Sequence, residues 1–147
     1  MLRSGILETA LYVDDIDAAE AFYGGVLGLE RINRAGNRHI FFRCGDGVLL
    51  LFNPVETMKP LAPDAKLPVP PHGTKGQGHL CFRATGDEIE QMRAHLEQHG
   101  VAIEADFHWP AHGPAHDDET IGGRSIYFRD PAGNSLEIAE PRIWGLS

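Results

Sequence analysis

The chain has 147 residues, 42% of them hydrophobic and 23% charged, with 13 basic against 21 acidic side chains and a formal net charge of -8. An acidic balance without a basic cluster argues against nucleic acid or an anionic membrane as partner, and no apolar run approaches the roughly 20 residues that span a bilayer. Only Cys44 and Cys81 are present, too few for a disulfide framework, so a reducing cytoplasm is expected. Met1 to Gly5 leads into a strand-like pattern without the apolar stretch of a secretory signal.

Ile6 to Val13 reads as a strand with Leu7, Leu11 and Val13 on one face and Glu8, Ala10 and Tyr12 on the other. Asp14, Asp15 and Asp17 offer oxygens to the free N–H groups of a helix start. Ala19, Phe22, Tyr23, Val26 and Leu27 then recur at near-helical spacing over Ala18 to Leu27, with Gly28 as the stop. Glu30 to Ala35, Arg38 to Cys44 and Val48 to Phe52 read as three strands separated by Gly36-Asn37 and Gly45-Asp46-Gly47 turns. From Asn53 to Gln77 the prolines at 54, 60, 63, 68, 70 and 71 forbid a central strand or helix, so this segment reads as a linker bordering a site.

The pattern restarts at Gly78 to Ala84, with Leu80, Phe82 and Ala84 on one face and His79, Cys81 and Arg83 on the other. Asp87 to His99 reads as a helix along Ile89, Met92, Arg93 and Leu96, stopped by Gly100. Val101 to Phe107 reads as a strand and His108 to Gly123 as irregular. Ser125 to Arg129 and Ser135 to Ala139 are two further strands joined by the Asp130-Pro131-Ala132-Gly133-Asn134 turn. The last strand places one carboxylate, Glu137, between Leu136 and Ile138, on the opposite face from both.

The two halves repeat one pattern. Glu8 and Gly28 are 20 positions apart and His79 and Gly100 are 21 apart, and the turns before the last strand of each half correspond. On this overlay Glu8 falls opposite His79, and Glu137 falls near Leu50 or Leu51. The expected architecture is α+β, a single domain of two tandem βαβββ units, 1–55 and 78–147, joined by a proline-rich linker, 56–77.

These units carry Tyr12-Val13-Asp14-Asp15, Phe22-Tyr23 and Leu27-Gly28-Leu29 in the first, and Tyr127-Phe128-Arg129-Asp130-Pro131, Gly133-Asn134 and Leu136-Glu137 in the second. With them the chain resembles the vicinal oxygen chelate superfamily, which includes glyoxalase I, extradiol dioxygenases, fosfomycin-resistance enzymes and bleomycin-binding proteins. The resemblance implies curved mixed sheets around a central cavity, with helices on the outer side and a metal held from the first and last strands of the units. The matching positions are Glu8, His79 and Glu137, and strand alternation agrees, because each has apolar neighbours facing the other way. Carboxylates with one imidazole suit a divalent ion such as Mn, Fe, Ni, Co or Zn.

What the resemblance implies about activity is a metal-dependent glyoxalase-like lyase or isomerase, of lactoylglutathione lyase type, acting on a small oxygen-chelating substrate. Glu137 or Glu8 would move the proton. Leu50 or Leu51 stands where glyoxalase-type enzymes often carry another Glu, and Glu8 where the dioxygenase and fosfomycin branches more often carry His. The alternatives are a dioxygenase, a fosfomycin-type addition to an epoxide on the same site, or a metal-free binding protein of bleomycin-resistance type. Arg124, Cys81 and Tyr12 are further candidate substrate contacts, with packing or surface roles as the competing readings. His108, His112 and His116 form a rival histidine cluster, but Pro110, Gly113 and Pro114 forbid the helix that would align them. A homodimer is expected from the superfamily.

Overall fold

The computed structural model describes residues 5–110 and 122–147. The chain forms two compact units, Met1–Gly78 and His79–Ser147. The first runs β1 (Glu8–Tyr12), α1 (Ile16–Ala19), β2 (Glu30–Ala35), β3 (His39–Cys44), β4 (Gly47–Phe52) and α2 (Pro54–Thr57). The second runs β5 (His79–Arg83), α3 (Gly86–Gln98), β6 (Ala105–Trp109), β7 (Gly123–Arg129) and β8 (Ser135–Ala139), then a 3-10 turn over Pro141–Trp144. Each unit holds an open four-stranded mixed sheet, in the orders β1-β4-β3-β2 and β5-β8-β7-β6. In both, the first strand pairs parallel with the last, and the remaining pairings are antiparallel.

In the first unit Leu11, Ile40, Phe42, Leu49 and Leu51 turn toward the helical segment and are buried with Ile16, Ala19, Phe22 and Tyr23. The Asp15 carboxylate accepts from the Ala18 N–H at 2.9 Å and starts the helix. The periodicity predicts an α-helix as far as Leu27, but Glu20–Val26 is π-helical, with the Leu27 N–H bonding the Phe22 carbonyl at 2.9 Å. Gly24 and Gly25 lie in this wider turn, and Gly24 stands where an added Cβ would come within 3.4 Å of the Phe42 ring. Leu7, expected on the buried face, is exposed and precedes the first ladder pair.

In the second unit Ile126, Phe128, Leu136 and Ile138 form the buried face and pack with Ile89 and Leu96 of α3. A capping box opens α3: Thr85 Oγ1 accepts from the Glu88 N–H, and the Glu88 carboxylate accepts from the Thr85 N–H at 2.7 Å. At its other end Gly100 takes a φ of +71°, while the Gly100 and Val101 N–H groups bond the Glu97 and Leu96 carbonyls. That closure explains why β6 starts at Ala105 rather than at Val101. The Val101 N–H is spent on the helix end, and ladder pairing begins only where Ala105 meets Tyr127.

Among the described residues no helix is long and apolar enough to cross a membrane.

Candidate metal centre

The register of the two sheets resolves the repeat. In the first, Glu8 pairs with Val48 and Ala10 with Leu50. In the second, His79 pairs with Ser135 and Cys81 with Glu137. Glu8 is therefore the counterpart of His79, and Leu50, not Leu51, is the counterpart of Glu137.

Paired residues share a face, so the side of the second sheet away from α3 carries His79 and Cys81 on β5, Glu137 on β8, and Ser125 and Tyr127 on β7. Glu137 is 7% exposed and His79 53%. His79 Nδ1 lies 3.0 Å from the Ser135 carbonyl oxygen, which can only accept, so Nδ1 carries the proton of the neutral ring. Nε2 is then an unprotonated lone pair, and it faces Glu137 Oε2 at 3.4 Å. Two lone pairs at that separation repel unless a cation, a proton or a metal ion, stands with them. The other carboxylate oxygen, Oε1, is buried and accepts no hydrogen bond, and leaving such an atom unsatisfied costs about 1–3 kcal/mol.

The carboxylate marks its neighbours. Burial pushes the Cys81 thiol up to about 12, with the adjacent Glu137 charge adding to it. The Tyr127 phenol is raised well above its ordinary value by burial first and then by Glu137. A histidine oriented by a backbone carbonyl, a carboxylate with one unsatisfied oxygen and a surround that disfavours further negative charge together fit a divalent cation.

Of the other candidates, Glu8 is exposed at the head of β1, on the same face as Ala10, Tyr12 and Leu50. Among the described residues no three His, Cys, Asp or Glu side chains are grouped as a metal centre. The Tyr12 hydroxyl is 2.7 Å from His72 Nδ1, which pins the end of the proline-rich segment to the first sheet. Arg124 lies on the opposite face from Glu137. Its guanidinium grips both Asp106 oxygens at 2.8 and 2.7 Å and reaches Glu90 of α3 at 2.7 Å, which holds it charged well beyond the usual range. That pairing ties sheet to helix and leaves Arg124 away from the candidate centre. His108 lies in β6; His112 and His116 lie outside the described residues.

Two residues escape a reading based on alternation alone. Tyr127 is the ladder partner of Glu137, which the length of the Asp130 to Asn134 turn could have revealed by counting back from it. His72 had no such signal, because the proline-rich segment has no period.

A family model described as the Glyoxalase/Bleomycin resistance protein/Dioxygenase superfamily matches residues 5–138. Among solved structures, a lactoylglutathione lyase from Agrobacterium tumefaciens is similar, with a TM-score of 0.84 and 43% identity over 98% of both chains. The virulence protein STM3117 of Salmonella typhimurium is 29% identical over 95% of this chain and 86% of its own length, and its crystal structure superposes with a TM-score of 0.67 over 95% and 98% of the two chains. The fosfomycin resistance protein FosX from Mesorhizobium loti shares the fold at 16% identity, with a TM-score of 0.59 over 95% of this chain and 93% of its own. Register, repeat and family match agree, and the chain belongs to the Glyoxalase/Bleomycin resistance protein/Dioxygenase superfamily.

Proposed function

We propose that the protein is a metal-dependent lyase or isomerase of glyoxalase type that acts on a small substrate with adjacent oxygens, and that His79, Glu137 and Glu8 are its metal ligands. The observation carrying this is Nε2 of His79, with Nδ1 engaged by a backbone carbonyl, facing at 3.4 Å the carboxylate of Glu137, whose second oxygen is buried without a partner. Glu8 is the third donor by its position, since it occupies in the first sheet the place His79 occupies in the second. The similarity to a lactoylglutathione lyase supports a thioester-forming proton transfer of that kind.

A bound divalent ion would supply Lewis-acid charge to the substrate oxygens. Glu137 is suited to accept a proton because its buried oxygen Oε1 is committed to no hydrogen bond. The neutral ring of His79 is held in one tautomer by the Ser135 carbonyl, which leaves the Nε2 lone pair to a metal. Glu8, more exposed, is the alternative base. The reading includes a cytoplasmic homodimer.

A second reading draws on Leu50. With an alkyl side chain at the counterpart of Glu137, the donor set holds three groups rather than four, which also suits addition of a thiol or water to an epoxide, or dioxygen chemistry with iron or manganese. Elemental analysis after reconstitution with Mn, Fe(II), Ni, Co or Zn separates these enzymes from a metal-free binding protein. The expected result is a stoichiometric ion in the wild type that is lost in Glu137→Ala and His79→Ala. A wild type that retains none of the five overturns the reading. Turnover of the glutathione adduct of an α-ketoaldehyde, followed by thioester absorbance, then tests the glyoxalase branch against the other two.

A further inference from the structure

Across the open side of the second sheet three rings stand in file. His79 on β5 and Tyr127 on β7 have centroids 6.2 Å apart with planes inclined by 16°, and Tyr127 and Phe107 on β6 lie 5.9 Å apart at 4°. β8 runs between β5 and β7. Strands two places apart in a sheet are separated by about 9–10 Å. A 6.2 Å ring separation therefore means that His79 and Tyr127 lean toward each other over β8, where Glu137 is the residue facing them. This lean accounts for a carboxylate that is buried beside an exposed histidine.

Tyr127 is itself held from behind. Phe107 stacks on its far face, and Ser125, fully buried two residues earlier on the same strand, has its hydroxyl engaged by the Trp109 indole N–H at 2.8 Å. The Tyr127 hydroxyl neighbours both Ser125 and the Glu137 carboxylate. Its ring is thus braced on one side, and on the other it bears on both candidate ligands.

We propose that Tyr127 is the positioning residue of the His79–Glu137 pair: its ring sets the plane of the imidazole and keeps water from the carboxylate, and its hydroxyl sets the direction in which the carboxylate turns. The functional consequence rests on the metal reading above, whereas the geometric content does not. Removing the hydroxyl alone loosens Glu137 and leaves His79 in place. Removing the ring frees both.

Tyr127→Phe and Tyr127→Leu separate the two parts. In metal-free protein, NMR of the His79 imidazole and the Glu137 side-chain carboxyl carbon reads orientation directly. The His79 ring-proton shift is expected to persist in Tyr127→Phe and to move in Tyr127→Leu, while the Glu137 carbon moves in both. In a Co(II) titration followed by visible absorbance, the dissociation constant should rise about tenfold for Tyr127→Phe and up to about a hundredfold for Tyr127→Leu, the range found when groups that orient metal ligands are lost. Should Tyr127→Leu fail to fold, Phe107→Leu removes the brace instead and should displace the same His79 signal. His79 and Glu137 signals unchanged in all variants would overturn the proposal. A wild type that binds no Co(II) sinks the metal reading, and the metal-free spectra still decide the role of Tyr127.

Discussion

Replacing Asp130 by alanine tests whether the turn before β8 holds the candidate ligand strand in register. Asp130 and Asn134 are 4% and 1% exposed. The Asp130 carboxylate accepts from the Asn134 backbone N–H at 2.8 Å and from its side-chain amide at 2.9 Å, while the Gly133 N–H bonds the Asp130 carbonyl and Gly133 takes a φ of +87°. Hydrogen bonds to a charged acceptor are worth about 1.5–3 kcal/mol each, and losing both strands two buried donors, so Asp130→Ala should cost about 3–5 kcal/mol. Asp130→Asn keeps one acceptor and should cost about half as much. With a urea dependence of about 2 kcal/mol per M for a chain of this size, the alanine midpoint should fall by about 2 M. Asn134→Ala removes one bond, and its effect should be non-additive with Asp130→Ala in a double-mutant cycle. A loss below about 1 kcal/mol for Asp130→Ala, or full additivity, would show that the turn is held by something other than this pair.

Two further outcomes follow from charge. The folded state favours the neutral Cys81 thiol, so that contribution to stability is intact below the ordinary thiol range and is lost as pH rises toward about 12. Near pH 8 Cys81 should react slowly with iodoacetamide. Glu137→Gln removes one of the causes and should speed the reaction; an unchanged rate would mean that burial alone governs the thiol. At the acid end, Asp106 is held below its usual value first by Arg124, and Glu88 by the Thr85 N–H and hydroxyl. Both contributions are present above the ordinary carboxylate range and are lost as pH falls through the lowered values. Thr85→Ala should cost about 1 kcal/mol at pH 7 and less in acid, where the capping carboxylate is already protonated. A constant cost from pH 7 to pH 3, measured by thermal melting, would contradict the capping-box account.

Most of the architecture was legible because the sequence states it twice. Leu49 and Leu51 against Leu136 and Ile138, each set before a buried face, announce the last strand of each sheet, and Gly28 and Gly100 close the helices that precede them. That His79 and Glu137 share one face of their sheet also followed from strand alternation, which set each opposite to its apolar neighbours. Features resting on a single local balance were not. The π-helical path of Glu20–Val26 turns on where each N–H finds a carbonyl, which side-chain period does not record. The start of β6 depended on a helix-end bond that claimed Val101. Arg124 stands next to a glycine pair and looked available, but its destination was decided by Asp106 and Glu90, which are 18 and 34 residues away in sequence.

β8 is paired on both sides, with β5 and with β7, whereas β5 is the outer strand of its sheet. Amide exchange should therefore be slowest around Leu136 to Ile138 and faster at Leu80 to Phe82, since an interior strand opens only with the whole sheet. The two candidate donors thus differ in mechanical freedom. Glu137 is anchored to a backbone paired on both sides, and His79 to one that can shift by small amounts without breaking the ladder on both sides. Under the proposed metal reading, an ion of larger radius would be met by movement of His79 while the carboxylate keeps its place.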